Sequence, residues 1–137
     1  MVAATPKHSA KTPEVNLLVL HSDHRVRHLV SESTPQDHFK ISFADQPDQF
    51  EECLEGAGPF DAILIRLTEP VETASDLISR VKVRCPQALI VVLCSASEKH
   101  RCTEIRRHGV YEILAYPVDG IELKRVLFNI LERARHG

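Results

Sequence analysis

Three short apolar runs without alternation constrain the fold of this chain most strongly. They are VNLLVL at residues 15–20, AILI at residues 62–65 and LIVVLC at residues 89–94. A strand with one face in water alternates apolar and polar residues, whereas a strand covered on both faces is apolar throughout. The runs therefore predict the central strands of a parallel sheet with helices packed on both of its faces.

Weaker signals between these runs predict the remaining elements. FKISF at residues 39–43 alternates as an edge strand does, and residues 111–115 predict a short last strand. Helical spacing of apolar side chains predicts helices at about residues 23–33, 45–56, 74–84, 97–108 and 119–135. Five successive β–α units with right-handed crossovers predict an α/β fold with a doubly wound, five-stranded parallel sheet of flavodoxin-like order 2-1-3-4-5.

Composition and charge exclude several classes of function. Aromatic residues are only 5% of the chain, with no Trp, which argues against an aromatic-lined site for single-stranded nucleic acid. A net charge of −2 gives no electrostatic drive for direct DNA binding. There is no bilayer-length apolar run and no secretory signal, so we expect a cytoplasmic protein without a membrane partner. We expect residues 1–13 to form a disordered polar arm and residues 14–137 to form one domain.

The four cysteines lie at positions 53, 85, 94 and 102 and include no CxxC pair. Without an export signal, reduced thiols are the expected state. Cys94 lies within the third apolar run, so we expect it to be a small core residue. No neighbouring residue is an evident activator of a catalytic thiol.

Four short segments carry a resemblance to a known family. They are LLVL at residues 17–20, FDAILI at 60–65, LCSA at 93–96 and GVYEILAYP at 109–117, of which the last is the most specific. Together with the order of the elements, they resemble the receiver domain of bacterial two-component response regulators, the CheY-like family, over about residues 14–135. The resemblance implies a CheY-like fold and a role in signal transduction and phosphorelay, with a protein partner or an output domain.

The positions that carry phosphorylation chemistry in this family are altered here. Active receivers hold Mg²⁺ with an acidic pair after the first strand and accept the phosphoryl group on an Asp that ends the third. Mg²⁺ prefers oxygen ligands, and a guanidinium cannot accept a phosphoryl group. The resemblance therefore implies a degenerate phosphorylation pocket, in a pseudo-receiver that is not an enzyme and needs no cofactor or metal. Its residues are His21, Ser22 and Asp23, Arg66 at the phosphoacceptor position, Ser95, and Tyr116 before Pro117.

Two questions about this pocket stay open at the level of sequence. Asp23 either pairs with Arg66 across the pocket, or only caps the first helix while Arg66 points to solvent. An alternative function is a module that senses a ligand, an anion or a metal ion through the pocket around Arg66 and His21. His24 and His28, which lie at helical spacing, motivate the metal version of this alternative.

The last helix carries more apolar positions than one core face requires. One inward stripe runs from Leu123 to Ala134, and Phe128 and Leu131 lie beyond it. Excess apolar surface favours a partner, and the family commonly dimerises or binds effectors through its fourth helix, fifth strand and fifth helix. We expect a homodimer, or docking of an output domain, through this face. Its residues are Arg101, Arg106, Ile113 at the usual aromatic switch position, Glu122, Phe128 and Leu131.

Overall fold

The computed structural model describes residues 15–20, 24–34, 38–44, 49, 52–53, 59–67, 71–95 and 103–136. No helix in this part of the chain combines the length and the apolar character needed to cross a membrane. The strands are β1 (Val15–Leu20), β2 (Phe39–Ala44), β3 (Ala62–Arg66), β4 (Leu89–Ser95) and β5 (Glu112–Tyr116). The helices are α1 (His24–Ser33), α2 (Val71–Arg84) and α3 (Gly120–His136), and residues 103–108 form a short helical segment that ends in a 3₁₀ turn, Arg106–His108.

The five strands form one sheet in the order β2-β1-β3-β4-β5, and every neighbouring pair is parallel. Parallel neighbours need a connection that crosses a face of the sheet, and helices between the strands provide it. The prediction of a doubly wound, CheY-like α/β fold in the order 2-1-3-4-5 is therefore confirmed. β2 lies at one edge of the sheet, as its alternating sequence predicts.

Two hydrophobic cores lie on opposite faces of the sheet. Alternate residues of the central strands supply each core, because successive strand side chains point to opposite faces. The first core joins Ile63 and its neighbours in the sheet to Ile78 of α2. The second joins Leu64 and its neighbours to Val30 of α1 and Leu127 of α3. Helices on both faces explain why the three apolar runs do not alternate.

The segment before β5 and the helix after it have sharply defined ends. Gly109 has a φ of 83°, a left-handed conformation that favours glycine, and it ends the 3₁₀ turn as a C-cap. Asp119 caps α3, because its carboxylate Oδ1 accepts a hydrogen bond of 2.9 Å from the backbone N–H of Ile121. These two caps define where the segment before β5 ends and where α3 begins.

Several element boundaries differ from the sequence prediction. α2 begins at Val71, earlier than predicted, and Pro70 directly before it favours the first turn of a helix. β3 extends to include Arg66, and β5 is shifted by one residue. The end of the predicted fourth helix tightens to 3₁₀ geometry before Gly109. Most of the predicted second helix, the start of the fourth and the arm at residues 1–13 lie outside the described residues.

Candidate functional site

The carboxyl ends of β3, β4 and β5 bring three polar residues to one edge of the sheet. Arg66 ends β3 opposite Leu93, and Ser95 ends β4 opposite Tyr116, the last residue of β5. Partners in parallel strands share a face of the sheet, and so do side chains two residues apart on one strand. Arg66, Ser95 and Tyr116 therefore lie on the same face, at the edge where ligands of open parallel sheets bind.

Arg66 covers the ring of Tyr116. Its Cζ lies 4.2 Å from the ring centroid, and both side chains are half-buried. Attraction between a guanidinium and an aromatic ring contributes about 0.5–2 kcal/mol, with the larger values for desolvated pairs. Arg66 therefore does not simply point to solvent, which was one of the two alternatives. The other alternative, an ion pair with Asp23, concerns a residue outside the described part of the chain and stays a prediction.

The described residues that end β3, β4 and β5 include no carboxylate. Phosphoryl transfer to a side chain needs an oxygen nucleophile and charge neutralisation, usually by Mg²⁺. Arg66 supplies neither a nucleophile nor a ligand oxygen, since a guanidinium only donates hydrogen bonds. His21, Ser22 and Asp23 lie outside the described residues, so their part in the pocket also stays a prediction.

The histidines of α1 are surface residues in the structure. His24 and His28 are exposed, and His28 Nε2 lies 3.1 Å from Glu32 Oε2, one turn along the helix. Among the residues that the structure describes, no three His, Cys, Asp or Glu side chains come together as metal ligands would. His21, the remaining histidine of the predicted metal set, lies outside these residues.

Three residues of the predicted interaction face meet beside β5. Arg106, Ile113 and Glu122 line one cavity of about 350 Å³, between the end of the 103–108 segment, β5 and the start of α3. Pro117 lines the same cavity and follows a cis peptide bond from Tyr116. Arg101, the other predicted basic residue of this face, lies outside the described residues.

One flank of α3 is held against β5 by contacts within the chain. Arg125 Nη2 lies 3.1 Å from Glu122 Oε1 and 3.3 Å from Glu112 Oε2. The hydrogen bonds that Arg125 donates to Glu122 and Glu112 raise the pKa of Arg125 above its usual value. About two helical turns beyond Arg125, Arg133 covers the ring of Tyr111 with its Cζ 5.4 Å from the centroid. The charged side chains on this flank are therefore already engaged.

One assignment in the predicted interaction face is wrong. Leu131 is 3% exposed and packs in the second core, so it is not available to a partner. The error is one of helix phase, because Leu131 completes the buried stripe while Ala134 is exposed. Phe128 is 58% exposed, as an interaction face requires, and its role in binding a partner stays a prediction.

Sequence reasoning missed Ile121, which is 77% exposed at the start of α3. Ile121 and Phe128 are seven residues apart, so they lie within about 20° of each other around the helix. That spacing is the signal that would have found Ile121 once the buried stripe was correctly placed. We refer to Ile121 and Phe128 as the outer pair of α3.

The state of the cysteines differs from the prediction. Cys94 is 2% exposed in the first core, as expected, but it is disulfide-bonded instead of reduced. Cys53 and Cys85 carry free thiols. Burial and, second, the negative charge of Glu52 raise the pKa of the Cys53 thiol. Cys102 lies outside the described residues. The expectation of reduced thiols rested on two features of the sequence, the lack of a CxxC pair and the lack of an export signal.

The protein has the fold of receiver domains. The receiver domain of AraT, a response regulator from Geobacillus stearothermophilus, superposes with a TM-score of 0.76 at 18% identity, covering 89% of this chain and 96% of that chain. A response regulator from Thermotoga maritima gives a TM-score of 0.76 at 18% identity, over 88% of this chain and 98% of that chain. The pilus assembly protein CpaE from Caulobacter crescentus gives 0.70 at 12% identity, over 84% and 92% of the two chains. No protein-family model and no curated protein matches the sequence.

Proposed function

We propose that this chain is a receiver-like module of bacterial signal transduction that acts by binding a protein partner and is not phosphorylated at the usual receiver position. The shared fold supports a receiver-like module. The contact of Arg66 with Tyr116 is the observation that carries the second part of the proposal. In this proposal the module is cytoplasmic, has no catalytic activity of its own and needs no cofactor.

The argument depends on what occupies the ends of β3 and β5. Arg66 ends β3, where the resemblance to receivers places the phosphoacceptor Asp. Tyr116 ends β5 directly before Pro117, where the same resemblance places a Lys. In an active receiver, a carboxylate and an ammonium at these positions would both approach the incoming phosphoryl group. Here a guanidinium and an aromatic ring contact each other instead, so the two groups stabilise one another without a ligand.

Without phosphorylation at the usual position, such a module can still act by binding a protein partner. The structural neighbours include response regulators and a pilus assembly protein, so one fold serves proteins of different pathways. What supports partner binding on this chain is its surface, since large apolar side chains stay exposed on α3. An exposed large apolar side chain favours association, because only a second molecular surface can bury it.

Treatment of the full chain with acetyl phosphate and Mg²⁺, or with beryllium fluoride, tests the proposal. We expect no change of mass and no change of the amide NMR spectrum, because no carboxylate occupies the end of β3. Arg66→Asp is the matched variant. It supplies the acceptor but, with His21 and Ser22 at the positions of the acidic pair, we expect it to stay unphosphorylated as well. A stoichiometric, base-labile acyl phosphate on any carboxylate of the unmodified chain would refute the proposal.

One observation favours a second candidate function, the sensing of an anion. Arg66 places a half-buried cation at the ligand-binding edge of the sheet. An anion there would compete with the ring of Tyr116 for the guanidinium. Titration with inorganic phosphate and sulfate, followed by the side-chain NMR signal of Arg66 and the ring signals of Tyr116, separates the two functions. Saturable shifts that Arg66→Gln abolishes would favour sensing, and unchanged spectra would favour partner binding alone.

A further inference from the structure

A basic surface lies where the end of α2 meets the 3₁₀ turn Arg106–His108. The helix and the turn are in contact. Nζ of Lys82 lies 2.5 Å from the point where a Cβ on Gly109 would stand, so this ammonium group lies against the residue that ends the turn. Arg107 and His108 of the turn are exposed, as Lys82 is. We refer to Lys82, Arg107 and His108 as the basic rim.

The elements that carry the basic rim contribute no acidic side chain to it. The sequence has no Asp or Glu between Asp76 and Glu98, and none between Glu104 and Glu112. Within the part of the chain that the structure describes, no side chain forms an ion pair or a hydrogen bond with a member of the basic rim. Carboxylates of a partner can therefore bind there without displacing a contact within the chain.

An exposed apolar side chain lies beside the basic rim. Val83 follows Lys82 on α2 and is 79% exposed. Together with Ser79, Arg80 and Arg84 it lines an open hollow of about 240 Å³. Both arginines already have contacts within the chain, so they contribute only their aliphatic stems, as walls of the hollow. One exposed Val is ordinary on a protein surface, but a hollow beside a group of basic side chains can hold an apolar side chain of a partner.

We propose that the hollow at Val83 and the basic rim together bind an acidic segment of a protein partner that carries an apolar side chain. This inference rests on the proposed function and deepens it, because it names the chemistry of the partner that the module binds. The apolar side chain enters the hollow, and carboxylates next to it meet Lys82 and Arg107. In such an interface the apolar centre excludes water, and the charges around it select and orient the partner.

The apolar hollow favours a protein over other polyanions. A nucleic acid backbone offers phosphates to the basic rim but no aliphatic side chain to the hollow at Val83. An anionic membrane surface binds helices that present a broad apolar face, and α2 presents one exposed large apolar side chain. The net charge of −2 gives no long-range attraction to a polyanion. Salt screens charges beyond about 8–10 Å, so a short acidic segment responds to the basic rim and not to the charge of the whole chain.

This surface is separate from the predicted interaction face. α2 packs in the first core and α3 in the second, so Val83 and the outer pair of α3 lie on opposite sides of the sheet. Arg106 and Ile113 line the cavity beside β5, which the hollow at Val83 does not share. A partner bound at Val83 therefore leaves the predicted interaction face open.

A peptide of repeated Glu-Glu-Leu triplets is the probe for this surface. The end of one helix and a short turn supply less than the roughly 1,200–2,000 Å² of a stable interface, so we expect binding in the micromolar to millimolar range. Titrated into the full isotope-labelled chain, the peptide should produce saturable shifts of the amide NMR signals of Lys82, Val83 and Arg107. The signals of the outer pair of α3 should stay unchanged.

Changes in the peptide and in the salt concentration separate the two parts of the interaction. Replacement of every Glu of the peptide by Gln, or of every Leu by Ser, should weaken binding about threefold or more, because the first removes the charges and the second the apolar side chain. The affinity for the Glu-Glu-Leu peptide should also fall about threefold or more between low and physiological salt, since the basic rim is exposed.

Matched variants of the chain locate the surface. Val83→Asp should weaken binding of the Glu-Glu-Leu peptide about tenfold or more, because it removes the apolar contact and repels the carboxylates. Arg107→Glu should weaken it about two- to tenfold, and it keeps the test intact if Val83→Asp fails to fold by circular dichroism. Ile121→Asp and Lys124→Glu make the same kinds of change at exposed positions of α3 and should leave the affinity unchanged.

Several results would overturn the inference. One is the absence of saturable shifts, and another is a set of shifts centred on Arg106 and the cavity beside β5. An affinity that Val83→Asp and Arg107→Glu leave unchanged would overturn it too. Tighter binding of duplex DNA or of phosphatidylglycerol vesicles than of the peptide at this surface would assign it to a different occupant and have the same consequence. None of these results touches the proposed function, which only acyl phosphate formation refutes.

Discussion

The two ends of the sheet are built in different ways. At the amino end, the Asp61 carboxylate Oδ2 accepts a hydrogen bond of 2.7 Å from the backbone N–H of Asn16, whose side-chain amide donates to the carbonyl of Pro59 at 2.8 Å. The backbone of Asp61 also bonds to Asn16 and to Leu89. At the carboxyl end, the guanidinium of Arg66 is attracted to the aromatic ring of Tyr116, and this contact reaches across β4.

This difference indicates that the two ends of the strands have different roles. Side chains at the amino end bond to the backbone of β1 and of the residue Pro59 before β3, so they help to hold these two strands in register. The backbone carbonyl of Asp61 accepts the bond from Leu89 of β4. At the carboxyl end, Arg66 and Tyr116 contact each other through their side chains, while the strands there are held by their own ladder. Loss of the Asp61 contacts at the amino end should therefore cost stability, whereas loss of the contact between Arg66 and Tyr116 at the carboxyl end should cost little stability and alter binding.

The largest expected effect on stability comes from reduction of the disulfide bond of Cys94, which lies near the carboxyl end of β4. A disulfide typically contributes about 2–4 kcal/mol to the free energy of unfolding. We expect reduction to lower that free energy by about this amount and to speed hydrogen exchange at Ser95 and Tyr116 more than at Asn16.

Cys94→Ala and Cys53→Ser are the matched variants for this measurement. The first should make the unfolding free energy insensitive to reductant, and the second should leave the sensitivity intact, since Cys53 is a free thiol. Peptide mapping after alkylation without reductant should find Cys94 unlabelled. Cys53 should react slowly at neutral pH, because its raised pKa keeps the nucleophilic thiolate scarce. Rapid labelling of Cys94 would contradict the disulfide.

A smaller effect is expected at the amino end. Asp61→Ala removes an acceptor for a backbone N–H of β1, and we expect it to lower the free energy of unfolding by about 1–2 kcal/mol. Urea denaturation measures the change, and Asp76→Ala, at an exposed position of α2, is the control with no expected effect. If both variants are equally stable, the amino end does not hold the strands as described.

The smallest effect on stability is expected from Arg66→Ala. The lost attraction to the half-buried ring of Tyr116 should cost no more than about 1 kcal/mol. Tyr116→Phe keeps the ring and should be close to neutral, whereas Tyr116→Ala should cost more than Arg66→Ala, because the ring also packs against the second core. In a double-mutant cycle, a coupling energy indistinguishable from zero would show that the contact is incidental. If Arg66→Ala lowers the free energy of unfolding more than Asp61→Ala does, the proposed division between the two ends is reversed.

Patterns that depend on neighbours in sequence were predictable in this protein. The apolar runs at β1, β3 and β4 had to be covered on both faces, and the succession of β–α units with right-handed crossovers then led to the strand order. Gly109 at the end of a helical segment followed from the conformation that only glycine adopts easily. These features depend on local physical chemistry, which the sequence carries directly.

Features that depend on a choice between near-equal local options were not predictable. α3 offers two phases, since Leu131 and Ala134 both continue its apolar stripe, and packing against the sheet selects the larger side chain. The contact of Arg66 with Tyr116 spans two strand spacings, about 10 Å, and depends on how a long side chain crosses β4. Cys94 gave no signal of a disulfide, because the sequence contains no CxxC pair.

The contact between Arg66 and Tyr116 has a consequence for regulation by mass action. A bound phosphoryl group or metal ion is present in proportion to its supply, so it can report a change outside the protein. A guanidinium carried on β3 of the same sheet is always at the same effective concentration beside the ring. Its occupancy cannot follow any upstream donor. If this edge of the sheet still has two states, the partner must select between them, and the information then flows from the partner to the module.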